Sequence, residues 1–185
     1  MTELMTPLYE AGLLQFGRFD GHPFRHNLQM LPSYPQLLRL VAQSATGRID
    51  ASAYDHLLCP QTSLPFAVAL SQKLMKPLVY SQGSSLPPAR DLVGAYDVGH
   101  PALLVVDVWD NGETLQHLIN GAGRVGLNVI DVVAVLDVSG AVETEVTVNT
   151  LLEIEAVTER LVQQHLIPSG MMDAIKRWLQ DTHKI

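Results

Sequence analysis

The sequence contains a single cysteine and no long apolar run. Cys59 is the only thiol among 185 residues, so no disulfide can form within the chain, which is typical of proteins in a reducing cytoplasm. No apolar segment approaches the roughly 20 residues that a membrane-spanning helix requires. The amino-terminal segment MTELMTPLYEAGLL lacks the basic and apolar parts of a signal peptide. We therefore expect a cytoplasmic protein that does not enter a membrane.

Clusters of positive charge are missing as well. The chain has 12 Lys and Arg against 19 Asp and Glu, a net charge of −7, and no run of basic residues. Such a chain is poorly suited to the phosphate backbone of nucleic acids or to an anionic membrane surface. What it has in quantity is apolar side chains, 47% of all residues, which suffice for a core without disulfides. The length predicts one domain spanning residues 1–185.

Apolar strands alternating with helical patterns predict an α/β fold. Strands are expected at residues 54–59, 77–80, 102–108 and 129–138, and the last two are apolar on both faces, as central parallel strands are. The intervening helices indicate a parallel sheet covered on both faces. The remaining expected elements are a helix over residues 8–19, helices beginning near Pro35, Ser63 and Thr114, a long loop over 81–99 with a strand piece near Tyr96, an edge strand over 144–148, and two closing helices.

Ligands on such a sheet bind at the carboxyl ends of the strands, which places the loops 60–63 and 108–113 at the site. The second loop lies in ALLVVDVWDNGETLQHL, where a strand runs through a short loop into a helix start, the layout that holds a phosphate. Here the loop carries Asp110 and Glu113, which repel an anion. Asp107 and Asp110 are candidate ligands for a metal ion, and a solvated acidic turn is the alternative.

Five further segments occur in the order of a known family. They are LLQFGRF, SYPQLLRLVAQ, LPFAVALSQKLMKPLVY, VGAYDVGHPALLVVDVWDNGETL and NTLLEIEAVTERLVQQHLI. Together they resemble the type I phosphoribosyltransferases, and within them the orotate phosphoribosyltransferases, over nearly the whole chain. The resemblance implies a parallel sheet with a small amino-terminal hood, a homodimer, and transfer of ribose 5-phosphate from phosphoribosyl pyrophosphate (PRPP) to a pyrimidine base with Mg²⁺, as a step of pyrimidine metabolism.

The resemblance also implies site residues, of which only part of the family pattern remains. Val106 replaces the first of two acidic residues that hold the ribose, and Asp107 keeps the second. The remnant of the phosphate loop is Asp110, Asn111, Gly112, Glu113 and Thr114, in which only the glycine and the last hydroxyl match the family.

The other two anion-binding segments have changed further. The pyrophosphate loop reads Gln61, Thr62 and Ser63, without a glycine; the hydroxyls of Thr62 and Ser63 can contact an anion or cap the following helix. The mobile loop SQGSSLPPARDLVG has no lysine or histidine and keeps one cation, Arg90, so Asp107 and Arg90 are the only catalytic candidates.

The base-binding segment of the family is replaced by DGHPFRHN. Arg25 in this stretch is a candidate for binding a carboxylate in the base pocket, with a surface salt bridge as the alternative. Trp109 stands where the family has a small aliphatic residue. It is the second base-pocket candidate, and plugging the pocket, stacking on a base and lying in a dimer interface are its three possible roles.

Three functions remain open at this point. The first is a homologue without PRPP-dependent transfer, which serves as a sensor of a small anionic ligand or nucleotide, as a regulatory or assembly partner, or as a structural protein of pyrimidine metabolism. The second is an active, divergent, Mg²⁺-dependent phosphoribosyltransferase that makes a nucleoside 5′-monophosphate. The third is a different enzyme on the same fold, because fold alone does not determine function.

Overall fold

The computed structural model describes residues 2–83, 87–110, 112–140 and 146–182, and within them it shows strands and helices in alternation. The strands are β1 Leu14–Phe19, β2 His22–His26, β3 His56–Pro60, β4 Leu78–Ser81, β5 Leu92–Val93, β6 Pro101–Trp109, β7 Asn128–Asp137 and β8 Thr147–Glu153. The helices are α1 Thr2–Glu10, α2 Pro35–Thr46, α3 Leu64–Leu74, α4 Pro88–Asp91, α5 Glu113–Arg124, α6 Ile154–Gln163 and α7 Gly170–Thr182.

The central sheet has the strand order β5-β4-β3-β6-β7-β8. All neighbouring strands from β4 to β8 pair in parallel, and only the two-residue β5 pairs antiparallel, with β4. Strands β6 and β7 lie in the middle and are mostly buried on both faces, as their continuous Val, Leu and Ala runs predict. The expectation of a mainly parallel sheet is therefore confirmed.

Helices cover both faces of this sheet. On one face, buried side chains of α1, α2, α3, α6 and α7 form one large cluster with the strands. On the other face, α5 contributes Leu115 and Ala122 to a smaller cluster with Leu58, Leu104 and Val132. None of the helices in the described residues is long and apolar enough to cross a membrane.

The hood is an antiparallel hairpin of β1 and β2, which turns at Asp20 and Gly21. It packs against α7, where the ring of Phe24 meets the indole of Trp178 edge-on at 5.1 Å between centroids. The predicted helix over residues 8–19 is wrong, because α1 ends at Glu10 and Gly12 takes a φ of 69° that helical residues do not adopt.

Two other boundaries differ from the expectation. The strand piece predicted near Tyr96 lies at Leu92–Val93, because Val93 pairs with Tyr80 of β4. The predicted edge strand over 144–148 is observed later, as β8, and leads directly into α6; residues 144 and 145 lie outside the described part of the chain.

Candidate functional site

The loops after β3 and β6 meet at the carboxyl edge of the sheet. There the backbone N–H of Asp107 donates to Oγ of Ser63 at 2.9 Å, and Ser63 is buried. Ser63 occupies the N-cap position of α3 but makes no side-chain capping bond, so the capping prediction is wrong for this residue. Its hydroxyl instead ties the first loop to the second. The neighbouring Gln61 and Thr62 are exposed.

Asp107 is the most perturbed acid of this edge. It is 8% exposed, and burial raises the pKa of its carboxyl to about 7. Cys59, at the end of β3, is fully buried, and burial together with the Asp107 charge raises the pKa of its thiol to about 12. A thiol so rarely ionised is a core residue rather than a nucleophile, in agreement with its place in an apolar strand.

The loop between β6 and α5 binds its own carboxylate. Oδ1 of Asp110 accepts the backbone N–H of Gly112 at 2.9 Å, one of the amides at the helix start that can otherwise face an anion. A Cβ on residue 112 would lie 3.0 Å from the same oxygen, so the glycine is what permits this approach. Glu113 and Thr114 follow as exposed residues of the first turn of α5, while Asn111 lies outside the described residues. We call residues 60–63, together with the end of β6 and the start of α5 at residues 107–110 and 112–114, the phosphate edge.

A cavity beside the phosphate edge lies under the hood hairpin. It has a volume of about 710 Å³ and is bounded by the hairpin, the ends of β6 and β7, and α7. We call this cavity the hood pocket; its lining residues are Arg18, Phe19, Asp20, His22, Phe24, Arg25, His26, Val108, Asp110, Val138 and Trp178. The structure thus brings Arg25 and Asp110, two of the predicted site residues, to one cavity.

The hood pocket has cationic and neutral nitrogen groups on the hairpin side. Arg25 donates from Nη2 to Oε1 of Gln15 at 2.8 Å, and its guanidinium lies 4.9 Å from the centre of the Phe19 ring. Arg25 makes no salt bridge to any residue that the structure describes. The Nδ1 atom of His26 is buried and has no hydrogen-bond partner among the described residues. Burial lowers the pKa of His26, with a smaller opposing effect of Asp110, and so favours its neutral imidazole.

Trp109 does not line the hood pocket, and a second tryptophan does. Trp109 is 1% exposed and packs in the cluster beneath α5, away from the hood pocket. Trp178 of α7 lines the pocket instead. Sequence reasoning missed Trp178, His22 and His26. The two histidines could have been identified as site candidates, because both lie in the DGHPFRHN stretch that departs from the family.

The segment that corresponds to the mobile loop folds back on α5. Five described residues of this segment border a cavity of about 320 Å³ together with Pro60, Thr114 and His117; they are Ser81, Gly83, Pro88, Asp91 and Leu92. The buried carboxylate of Asp91 lines this cavity and accepts a hydrogen bond from Oγ of Ser81. Arg90 is exposed and does not line it. An acid therefore stands where the family pattern calls for cations.

The described residues contain no group of three or more His, Cys, Asp or Glu side chains placed to hold a metal ion. Asp107 and Asp110 would offer only two carboxylates, and Mg²⁺ bound by one or two carboxylates usually takes its remaining ligands from water and from substrate phosphates. The residues present therefore do not fit a Mg²⁺ site held by the protein alone.

Comparison with known proteins finds relatives of similar sequence. No protein-family model matches the chain. It is 26% identical over 179 residues to orotate phosphoribosyltransferase of Caenorhabditis elegans, which covers 89% of this chain and 79% of that protein. It is 25% identical over 142 residues to orotate phosphoribosyltransferase of Archaeoglobus fulgidus, over 72% of this chain and 80% of that protein.

A solved structure extends the likeness to almost every residue. Leishmania donovani UMP synthase superposes with a TM-score of 0.83 at 23% identity, over 97% of this chain and 42% of that larger chain. Its fold is thus the fold of this protein. Taken with the curated relatives, this shows a chain with the fold of that phosphoribosyltransferase structure and with sequence similarity to orotate phosphoribosyltransferases.

Proposed function

We propose that this protein has lost PRPP-dependent transfer and that it binds a small, planar, anionic ligand in the hood pocket, as a regulatory or structural member of pyrimidine metabolism. The observation that carries the proposal is the hydrogen bond from Gly112 N–H to Asp110 Oδ1. It places a carboxylate of the protein on an amide at the start of α5, where the family binds a phosphate.

Electrostatics at the phosphate edge supports the proposal. A like charge at about 4 Å costs roughly 1 kcal/mol in water and about 4 kcal/mol at an intermediate dielectric. The start of a helix contributes at most about 2 kcal/mol in favour of an anion. With both Asp110 and Glu113 at the start of α5, repulsion exceeds attraction for a phosphate in this loop.

The segment 81–92 lacks the groups that would stabilise a pyrophosphate leaving group. It contains no lysine or histidine, and Asp91 lines its cavity. One preorganised donor is worth about 10²–10³ in rate, so the loss of several removes most of the catalysis. A homodimer would not restore them, because a second copy carries the same segment.

The hood pocket offers what a planar anion needs. Arg18 and Arg25 provide positive charge, Trp178 and Phe24 provide aromatic surface, and the neutral His26 provides a buried acceptor or donor. Orotate, the base named by the relatives, matches this set, since its carboxylate can meet an arginine and its ring N–H groups can meet Asp110 or His26.

Calorimetry tests both halves of the proposal. We expect orotate to bind to the wild-type protein and to lose most of its affinity in Arg25→Gln, whereas PRPP with Mg²⁺ gives no heat of binding. Binding of PRPP with a Kd below about 100 µM, equivalent to about −5.5 kcal/mol, would contradict the loss of the phosphate site. Absence of orotate binding would contradict the ligand assignment alone.

The second candidate is an active, Mg²⁺-dependent phosphoribosyltransferase, which the retained Asp107, Gly112 and Thr114 and the curated relatives favour. In that case Mg²⁺ arrives with PRPP. Pyrophosphate release measured with PRPP and orotate, uracil or a purine decides between the two candidates. Turnover above the blank that disappears in Asp107→Asn supports the enzyme, and none at high protein concentration supports our proposal.

A further inference from the structure

Two opposite charges line the hood pocket without meeting each other. Arg25 lines it from the hairpin, and Asp110 lines it from the loop after β6. These two side chains form no ion pair, since the only ion pair between two described residues joins His100 to Asp55. Opposite charges in one cavity attract each other, so their separation depends on what holds each side chain.

Each of the two side chains is held by neighbours on its own wall. Nη2 of Arg25 donates to Oε1 of Gln15 at 2.8 Å, and the guanidinium lies over the ring of Phe19. Oδ1 of Asp110 accepts the backbone N–H of Gly112 at 2.9 Å. Oδ2 of Asp110 has no hydrogen-bond partner among the described residues. One oxygen of Asp110 therefore remains to accept a hydrogen bond in the cavity that this residue lines.

The carboxylate of Asp110 acts on the interior of the pocket. His26 lines the cavity from β2, and the charge of Asp110 opposes the lowering of the His26 pKa by burial. The other lining residues outside the hairpin are Val108, Val138 and Trp178, none of which carries a charge. Among the described lining residues, Asp110 is therefore the single charged group outside the hairpin.

The charges on the two walls specify the polarity of a ligand. The hairpin contributes two arginines, Arg18 and Arg25, against one carboxylate, Asp20, so it suits an anionic group. The wall formed by the loop after β6 offers the free oxygen of Asp110, which accepts but cannot donate, so it suits an N–H group. A planar acid with a ring N–H satisfies both walls.

A nucleoside 5′-monophosphate does not satisfy them. One ring nitrogen carries ribose in place of a proton, and the phosphate adds negative charge. Beside the pocket, at the start of α5, this phosphate would meet Asp110 and Glu113, which are both acids. The N–H of Gly112 is already bonded to Asp110, so this amide does not offset the repulsion.

We propose that Asp110 is the specificity-determining residue of the hood pocket, which accepts a ring N–H of a planar carboxylic acid and excludes the corresponding nucleotide. This assignment rests on the proposal that the pocket binds a planar anion such as orotate, and it narrows the ligand to the free base. Gly112 is a positioning residue, because its N–H orients Asp110 and a Cβ at residue 112 would lie 3.0 Å from Oδ1.

Calorimetry with orotate and its N-methylated forms tests the assignment. We expect 1-methylorotate or 3-methylorotate to bind the wild-type protein at least about tenfold more weakly than orotate, because a hydrogen bond to a charged group is worth about that factor. Orotidine 5′-monophosphate should also bind at least about tenfold more weakly.

Asp110→Asn separates the hydrogen bond from a steric effect. Its side-chain oxygen can still accept the N–H of Gly112, and an NH₂ group then replaces the free acceptor. Orotate should therefore lose its advantage over the sensitive methylated form. Asparagine has nearly the volume of aspartate, so a steric clash with the methyl group would persist in this variant.

Asp20→Asn is the matched control, since Asp20 is the carboxylate that lines the pocket from the hairpin. It should leave the ratio of the two affinities at its wild-type value. Equal binding of orotate and both methylated forms, a ratio unchanged in Asp110→Asn, the same loss in Asp20→Asn, or nucleotide binding as tight as that of orotate would overturn the assignment and leave orotate as the ligand. Absence of any orotate binding would overturn the proposed ligand together with this assignment.

Discussion

The hood pocket and the phosphate edge adjoin each other, and they differ in how completely their polar groups are bonded within the protein. In the hood pocket, Nδ1 of His26 has no partner among the described residues and Arg25 has no carboxylate partner there. At the phosphate edge, polar groups are already bonded within the protein: Gly112 N–H to Asp110, and Asp107 N–H to Ser63. The hood pocket therefore keeps a buried imidazole nitrogen and a guanidinium without a carboxylate, whereas these two amides of the phosphate edge already have partners within the protein.

This contrast has a thermodynamic basis. Buried polar groups without partners cost free energy, so they persist mainly where a ligand or water completes them. If the loop does not bind phosphate, as we propose, its amides need another partner, and the carboxylate two residues away supplies one to Gly112. The phosphate edge thus resembles a bound state in which Asp110 stands in place of the anion.

The two tryptophans give the largest test of the contrast. Trp109→Ala empties a fully buried site, so we expect a loss of about 3–5 kcal/mol in the free energy of unfolding. Trp178→Ala, in the partly exposed wall of the hood pocket, should cost less than half as much and should weaken orotate binding. Urea unfolding and calorimetry measure both quantities. Equal destabilisation by the two variants would remove the distinction between a core residue and a pocket residue.

The next largest expected effect is the pH dependence that Asp107 gives to the free energy of unfolding. Its folded pKa of about 7 is above the ordinary value of 3.8, so the folded state binds the proton more tightly than the unfolded state does. The contribution is fully present below pH about 4 and is lost as the pH rises through about 7, with up to about 4 kcal/mol at stake. Asp107→Asn should remove this dependence, so its stability relative to wild type should increase between pH 5 and 8. Parallel stability curves would show that burial does not perturb Asp107.

The sequence predicted the central strands of the sheet better than the exact ends of those strands. The uninterrupted apolar runs of β6 and β7 allow only a central position, and the strand-loop-helix order locates the phosphate edge from the topology rule alone. The resemblance to the family makes Trp109 a base-pocket candidate, and the expected strand ends just before it, at residue 108. In the structure β6 continues by one residue and pairs Trp109 with Asp137, which turns the indole into the core.

The hood pocket could not be predicted to the same extent. Its hairpin and its tryptophan come from opposite ends of the chain and meet only through tertiary packing. No local pattern relates Trp178 to His22. The internal bonds of the phosphate edge also escaped prediction, because a serine before a helix normally caps it, and only the distance to Asp107 shows otherwise.

Substitutions of Ser63 and Thr62 test the hydrogen bonds within the phosphate edge, with a smaller expected change in the free energy of unfolding. Ser63→Ala leaves the buried N–H of Asp107 without its partner, so we expect a loss of about 1–3 kcal/mol. Thr62→Ala, one residue earlier and exposed, should change stability by less than about 0.5 kcal/mol. Chemical denaturation of both variants is the measurement. A Thr62→Ala loss as large as that of Ser63→Ala would indicate that helix capping dominates this loop.

The charge of the phosphate loop gives the smallest expected effect. Asn retains an oxygen that can accept the N–H of Gly112, so Asp110→Asn with Glu113→Gln removes two charges and keeps the loop closed. If repulsion excludes PRPP, its affinity with Mg²⁺ should rise at least about tenfold, or about 1.4 kcal/mol. Glu155→Gln with Glu159→Gln, two exposed acids of α6, controls for net charge.

The outcome of that double variant separates two causes. If affinity rises equally in the control, the effect comes from the overall charge of the protein and not from the loop. If the affinity for PRPP rises in neither the double variant nor the control, the hydrogen bond that occupies the Gly112 amide is what still prevents PRPP binding. Asp110→Ala, which frees this amide as well as removing the charge, must then gain affinity where Asp110→Asn does not. If none of the loop variants binds PRPP more tightly than wild type, the loop does not limit PRPP binding. The cation-poor segment 81–92 is then the cause of the low affinity.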